Sequence, residues 1–247
     1  MKFLKWTLII LLVLVLIGFV FVKVVSEEKP VGVEGPEAEA LADRMMEALN
    51  YSVLDSVKYI SWDFGGRNKH IYDHNNHKSI VQWKDYEVHL NHKSVTGIAY
   101  QNGIEVTEDK DKLVQKAWSH WCNDSFWLLA PFKIKDPGTS RSIVDLDAEE
   151  FPNKQGLMIT YDSGGVTPGD SYLWILDENN IPVGYKMWVS IIPIGGLYAT
   201  WTEWKPYTEG LMLSSSHDLK IFTLILADIK TGKSWSDIGF SDNPLKI

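Results

Sequence analysis

The chain has 247 residues, a net charge of −8, 11 tryptophans and a single cysteine. The first 25 residues contain Lys2, Lys5 and Lys23 and no acidic residue, so removing their charge of +3 leaves −11 on the other 222 residues. So acidic a domain is not expected to bind nucleic acid, or to dock onto anionic lipid by charge. Cys122 has no second cysteine for an internal disulfide, so packing must hold the domain together.

A long apolar run opens the chain. With one exception, every residue from Trp6 to Val22 is apolar, and about 20 apolar residues suffice for a helix to cross a bilayer. Lysines precede the run and Glu27 and Glu28 follow it, which by the positive-inside rule places the N-terminus in the cytoplasm. A cleaved signal peptide is the alternative, although the end of the run, VFVKVVSEEKP, has no small-residue cleavage pattern. We therefore expect residues 1–25 to be an uncleaved, single-pass signal anchor in a bacterial inner (cytoplasmic) membrane, with the rest of the chain in the periplasm.

A short linker and then one domain are expected after the anchor. Residues 26–35 (SEEKPVGVEG) are mostly polar and contain proline and glycine, which predicts the linker. The extracytoplasmic domain is then expected over residues 36–247. Pro36 is a favoured first residue of a helix, and apolar residues such as Leu41 and Met45 follow it at helical spacing.

Beyond this helix the apolar pattern changes to a period of two, which is typical of antiparallel strands. Strands are predicted at residues 56–64, 67–74, 77–84, 86–93, 96–101, 132–135, 141–145, 156–162, 171–177, 182–192, 197–205, 210–216 and 219–229. Turns between them are predicted at Gly65-Gly66, Asn75-Asn76, Asn102-Gly103, Gly164-Gly165, Asn179-Asn180 and Gly195-Gly196. A second helix is predicted from Glu108 to Trp121, with a junction at Asn123-Asp124 and an apolar segment that runs on to Pro131.

This order of elements predicts an α+β protein that is mostly antiparallel β. So many strands with only about two helices indicate one large curved sheet that wraps the helices as a half-barrel. A sheet of this size is expected to curl because a flat sheet of many strands is rarely stable.

Two motifs contain residue types that are found at catalytic sites. GDSYL, from Gly169 to Leu173, resembles the box of a class of serine esterases, but that chemistry needs Ser171 exposed at a turn beside a histidine base, whereas the residues after it alternate as a strand. His120, Cys122 and Asp124 together offer a base, a thiol and a carboxylate, but residues two apart on a helix do not face each other. We therefore expect no catalytic residue in either motif and no enzyme activity.

Five histidines invite a metal-site interpretation: His70, His74, His77, His89 and His92. The first three would share a face if they lay on a helix, as zinc ligands often do. Turn residues before and among them instead predict a hairpin with surface histidines, and a metal between neighbouring strands stays an open alternative. We expect no metal ion and no cofactor.

Aromatic residues make the strongest case for a binding site. Ten of the tryptophans lie after residue 25, and large aromatic side chains both fill cores and line pockets for apolar ligands. For the segment around the second helix both interpretations stand. If the curved sheet leaves a cavity there, its predicted lining is Trp118, Trp121, Phe126, Trp127, Leu128 and Phe132.

Two resemblances add to this interpretation. An export segment, a helix, several strands, a helical insertion and further strands, over about residues 36–230, resemble the periplasmic lipoprotein-carrier (LolA-like) fold, which implies an incomplete barrel with an apolar cavity for acyl chains. That resemblance rests on no shared motif, so it implies no site residue. Three segments, FWLLAPFKIKDPGTSR (126–141), YDSGGVTPGDSYLWILDEN (161–179) and KMWVSIIPIGG (186–196), are similar to a family of uncharacterised exported proteins of aquatic bacteria. This second similarity implies no activity.

The expected function is therefore that of a membrane-anchored extracytoplasmic domain which binds an apolar or amphipathic ligand, such as a lipid or acyl chain, in a half-open barrel. One alternative is an envelope module for protein–protein interaction or assembly with a solid interior, and another is a hydrolase. The expected partners are the ligand and, through the N-terminal helix, the membrane. No protein partner is predicted.

Overall fold

The computed structural model describes residues 2–147, 151, 154–163 and 167–247, without the side chains of residues 2–5, 8, 9 and 21. The predicted turn at Gly164-Gly165 lies outside the described residues. This part of the chain contains the helices α1 (Lys2–Val25), α2 (Pro36–Ala48) and α3 (Lys110–Leu129). Short 3-10 helices cover Tyr51–Ser56, Ala130–Phe132, Thr208–Gly210 and Trp235–Ile238.

The N-terminal helix α1 exposes large apolar side chains over much of its length, among them Ile10, Leu14 and Phe19. Among the residues that the structure describes, no helix has an apolar stretch of the length that a membrane crossing requires. The signal anchor over residues 1–25 stays a prediction.

Antiparallel sheet makes up most of the remaining chain. The strands are β1 (Val33–Glu34), β2 (Tyr59–Phe64), β3 (Asn68–Asp73), β4 (Lys78–Trp83), β5 (Tyr86–Asn91), β6 (Thr96–Gln101), β7 (Ile104–Val106), β8 (Thr139–Asp145), β9 (Gln155–Tyr161), β10 (Ser171–Leu176), β11 (Pro182–Trp188), β12 (Leu197–Thr200), β13 (Lys205–Pro206), β14 (Met212–Leu213), β15 (Ser216–Asp218) and β16 (Thr223–Gly232). The prediction of an α+β fold with mostly antiparallel strands and few helices is confirmed.

The strands form two large sheets. Eight strands pair in the order β15-β16-β2-β3-β4-β5-β6-β7, and six pair in the order β1-β8-β9-β10-β11-β12. The pairing of β13 with β14 is a separate two-stranded ribbon. Every neighbouring pair is antiparallel, which fits the short turns that join most consecutive strands.

The two large sheets meet where β12 ends and β15 begins. Thr202 forms an antiparallel bridge with Ser216, and the backbone N–H of Asp218 donates to the Thr200 hydroxyl at 2.8 Å. On the other side of this corner, β16 shifts its register against β2 between Ala227 and Lys230, a bulge of the kind that bends a strand. The prediction of one large sheet was therefore wrong: two sheets meet at this corner through an isolated bridge, because the chain leaves β12 without continuing its ladder into β15.

Each sheet has its own helix. The α-carbons of α3 come within 8 Å of those of β4, β5 and β6, whereas those of α2 come equally close to β8 and β9. The first core joins α3 to the eight-stranded sheet through buried residues such as Val88, Trp121 and Leu128. The second joins α2 to the six-stranded sheet through Met45, Trp174 and others.

Two local predictions were wrong. Helix α3 continues through Asn123 and Asp124 to Leu129 without a junction, because the Asp124 carboxylate is bound by side chains of β3, as shown below. The predicted strand at 132–135 is instead the end of a 3-10 turn and a loop, in which Ile134 is fully buried. Alternating apolar residues there reflect a buried turn rather than a pleated strand.

Candidate functional site

A cleft of about 590 Å³ lies between α3 and the six-stranded sheet. Residues 118–123 and 125–127 of α3 supply one wall. The opposite wall consists of residues from β9, β10 and β11 and from the loop after β11, among them Tyr161, Tyr172, Tyr185 and Met187. Because α2 covers β8 and β9 and α3 lies against the other sheet, neither helix fills this space.

Aromatic rings line much of the cleft. The ring of Phe126 lies 4.6 Å from that of Tyr172 and 5.6 Å from that of Tyr161, between ring centroids. The ring centroid of Trp127, on α3, lies 5.7 Å from that of Tyr185, on β11. Aromatic pairs at these separations and tilts are favourable. They hold α3 against the six-stranded sheet at one side of the cleft. Such a surface suits an apolar ligand.

Hydroxyl groups at the same wall offer hydrogen bonds. The hydroxyl of Tyr161 is buried and has no hydrogen-bond partner within the described part of the chain. Burial raises the pKa of Tyr161 and of Tyr172 above the usual tyrosine range, so both remain neutral donors at physiological pH. A buried hydroxyl without a partner costs about 1–3 kcal/mol. Because this oxygen is closed to solvent, a ligand oxygen would offset that cost only if the side chains over it moved aside.

Charged groups lie at another part of the lining. Lys133 and Asp136 both line the cleft, and the Lys133 Nζ lies 3.4 Å from the Asp136 carboxylate with both side chains partly exposed. Asp170 is buried and accepts a hydrogen bond from the backbone N–H of Ser190 at 2.8 Å, which holds the loop after β11 against the sheet. The cleft thus combines an apolar wall with a few polar groups.

The structure places four of the six predicted lining residues at the cleft and two elsewhere. Trp118, Phe126 and Trp127 line it, and Trp121, which belongs mainly to the core on the eight-stranded sheet, reaches its edge. Leu128 is fully buried and Phe132 nearly so, both in the core between α3 and the eight-stranded sheet. Leu128 follows Trp121 by seven residues, so it returns to the helix face that packs on that sheet. Phe132 lies in the 3-10 turn and stacks on Tyr51.

The sequence did not predict the residues on the sheet side of the cleft. Tyr161, Tyr172, Tyr185 and Met187 are the ones that matter most. A signal was present, since Leu157, Ile159 and Tyr161 alternate along β9 and share one face of the sheet. What the alternation cannot show is which part of that face a helix covers.

A buried polar cluster ties α3 to the eight-stranded sheet. The Asp124 carboxylate accepts a hydrogen bond from the Asn68 amide at 2.7 Å and lies 2.8 Å from Nε2 of His70. His70 and Asp124 are almost completely buried. The His70 ring stacks on Trp62 with 4.6 Å between centroids. The prediction of surface histidines was therefore wrong for His70, and it was wrong for His89 as well, which is buried on β5.

The arrangement around Cys122 does not support thiol catalysis. Asp124 is bound to His70 rather than to His120, and the His120 Nδ1 lies 3.4 Å from the Asn68 amide. Burial raises the pKa of the Cys122 thiol to about 12, which keeps the sulfur protonated and unreactive. Within the described residues, no group of three or more histidine, cysteine or acidic side chains is placed to hold a metal ion.

Ser171 of the GDSYL motif is fully buried at the start of β10. Its hydroxyl lies 3.0 Å from that of Thr160 and accepts a hydrogen bond from the Lys29 amine at 3.3 Å. These contacts give the serine a structural place between two strands and the linker. A nucleophile needs an exposed hydroxyl beside a base, and this geometry does not provide one.

Comparison with known proteins finds no family model that matches the sequence, and no curated protein matches it either.

Proposed function

We propose that the chain binds one acyl chain of an amphipathic lipid in the cleft between α3 and the six-stranded sheet. The observation that carries this proposal is an open cleft of about 590 Å³ with aromatic walls between α3 and the six-stranded sheet. Pockets for small ligands fall in the same range, about 300–1,000 Å³, with mostly apolar linings. A volume of this size disfavours the alternative of an assembly module with a solid interior.

The polar groups of the cleft suit the head of such a ligand. The Tyr161 hydroxyl is a buried donor without a protein partner among the described residues, and the Lys133 ammonium, which is paired with the Asp136 carboxylate, lies at the lining. A carboxylate or ester oxygen accepts from a hydroxyl and is attracted by an ammonium group. A fatty acid or a lipid ester is therefore the ligand class that we propose.

Location and fold belong to the same proposal. The LolA-like half-barrel, in which an apolar cavity holds acyl chains, remains part of this proposal, and two antiparallel sheets that each pack on one helix beside a cleft support it. The exposed apolar side chains of α1, such as Ile10 and Leu14, support a signal anchor in a bacterial inner membrane with the domain on the periplasmic side. A reporter fused to the C-terminus, active only outside the cytoplasm, would test the orientation.

Displacement of a fluorescent fatty acid tests the binding proposal. The full chain, held in amphipol, is titrated with anthroyloxy-stearate and then with oleate. Saturable binding at one site per chain is expected, and Phe126→Ala should weaken it about 5- to 30-fold, because removing a ring from the wall costs about 1–2 kcal/mol of apolar contact. Phe222→Ala, which removes an exposed phenylalanine that does not line the cleft, is the matched control.

Two outcomes would contradict the proposal. Probe fluorescence that never saturates would indicate partition into α1 or the amphipol rather than a site. Equal weakening by both phenylalanine substitutions would place the bound probe away from α3.

A further inference from the structure

One loop of the cleft wall is exposed and apolar. Residues 189–196, VSIIPIGG, connect β11 to β12, and Val189, Ile191 and Ile192 among them line the cleft. Ile191 is nevertheless 70% exposed. The same loop therefore contacts the ligand volume and presents a large aliphatic side chain to the outside.

The linker that leaves α1 is bound to this loop. The backbone N–H of Glu27 donates to the Gly195 carbonyl at 2.9 Å, and the backbone N–H of Gly195 donates to the Ser26 hydroxyl at 2.9 Å. The Trp188 indole donates to the Glu27 carbonyl at 2.9 Å. An ion pair between Lys186 and the Glu27 carboxylate, at 3.0 Å, adds to these contacts.

Two glycines make this close approach of backbone to backbone feasible. A Cβ on Gly195 would lie 2.7 Å from the Glu27 carbonyl oxygen, and one on Gly196 would lie 2.6 Å from the Glu27 Cβ. Gly196 also has a φ of +77°, which other residues rarely adopt. The loop and the linker are thus fitted to each other rather than merely adjacent.

These contacts fix the distance from the end of α1 to the loop. Helix α1 ends at Val25, and Glu27 is already bound to Gly195. Two residues span at most about 7 Å, while the headgroup layer on each side of a bilayer is about 5–8 Å thick. If α1 is held in a membrane, this loop lies at the height of the headgroups.

We propose that residues 189–196 form the membrane-contacting rim of the cleft, with Ile191 inserted into the outer surface of the bilayer that holds α1. The inference rests on the proposed function and on the anchor, and it adds the route: the lipid passes into the cleft directly from that bilayer. The pairing of Glu27 with Lys186 neutralises one carboxylate beside the rim, which favours contact with lipid despite the acidic domain.

Depth-dependent quenching tests the rim. The full chain is placed in nanodiscs that contain nitroxide-labelled lipid, and a single environment-sensitive dye is attached to Ile191→Cys in a Cys122→Ser background. Ile104→Cys in the same background is the matched control, since Ile104 is 74% exposed on β7, at an edge of the other sheet. Dye at position 191 is expected to emit at shorter wavelength and to lose at least about half of its fluorescence to the nitroxide, with little loss at position 104.

The results separate this inference from the binding proposal. Equal quenching at the two positions, or none at 191, overturns the rim even if fatty acid still binds saturably to the cleft. Strong quenching confined to 191 supports the rim. If the displacement assay then finds no binding, the contact of the loop with the membrane stands, while the proposed function and the route into the cleft fail.

Discussion

Helix α3 has two sides that differ in how they meet the sheets. Toward the eight-stranded sheet its side chains are sealed: Leu128 is fully buried, and Asp124 is bound by side chains of β3. Toward the six-stranded sheet, Phe126 and Trp127 stand beside an open cleft. The same kind of residue thus makes core on one side and a binding wall on the other, because α2 occupies only part of the second sheet.

Substitutions in the His70–Asp124 pair, on the side of α3 that packs against the eight-stranded sheet, should have the largest effect on stability. His70→Leu leaves the buried Asp124 carboxylate without its ring partner and should lower the free energy of unfolding by about 4 kcal/mol. The double variant His70→Leu/Asp124→Leu should recover part of this loss, since the buried carboxylate is gone, although the Asn68 amide then lacks its acceptor. Urea unfolding followed by tryptophan fluorescence measures both, and a double variant no more stable than the single one would contradict the role of the pair.

Truncation on the two sides should separate stability from binding. Leu128→Ala should lower the free energy of unfolding by about 3 kcal/mol, because the cavity it leaves is enclosed. Phe126→Ala, from a half-buried ring beside the cleft, should lower it by only about 1 kcal/mol. The same unfolding measurement applies, and a larger loss for Phe126 would mean that both sides of α3 are core.

Lowering the pH should reduce stability through His217. His217 packs against Trp127 and Trp201, and burial lowers the pKa of His217 to about 4. Between pH 6.5 and 4 His217 binds a proton in the unfolded chain but stays neutral in the folded chain. The stability that the neutral, buried His217 contributes is therefore complete above pH 6.5, and it is lost as the pH falls toward 4. The loss is up to about 3 kcal/mol.

His217→Phe isolates this contribution. Other histidines, such as His92, whose pKa burial lowers to about 3, also titrate on unfolding, so the quantity to measure is the difference between parent and variant at pH 7 and at pH 4.5. The variant should lose less stability on acidification. Identical losses would place the pH dependence elsewhere.

The smallest effect is expected at the cleft hydroxyl. Tyr161→Phe removes a buried donor that has no protein partner in the described part of the chain, so the ligand-free protein should gain about 1 kcal/mol in thermal unfolding. Affinity for anthroyloxy-stearate should fall by a few fold over the same substitution. A loss of stability without ligand would mean that the hydroxyl already has a partner.

Much of the fold follows from the sequence, whereas the cleft follows only in part. The change of period from helix to strand was visible, and Pro36 correctly predicted the start of α2. The break expected at Asn123-Asp124 was wrong because the partner of Asp124, His70, lies 54 residues away in the sequence. Likewise, Leu128 and Trp127 look alike as apolar neighbours, and only the placement of α2 and α3 on different sheets decides which one faces open space.

Photo-crosslinking with a diazirine-bearing fatty acid tests the cleft most directly. The full chain in nanodiscs is irradiated with the probe, digested, and its adducts are mapped by mass spectrometry. Adducts are expected on residues 118–127 of α3 and on residues 185–192, the two walls of the cleft, and excess oleate should abolish them. Adducts found on α1 alone, or adducts in the domain that oleate does not compete away, would contradict the account.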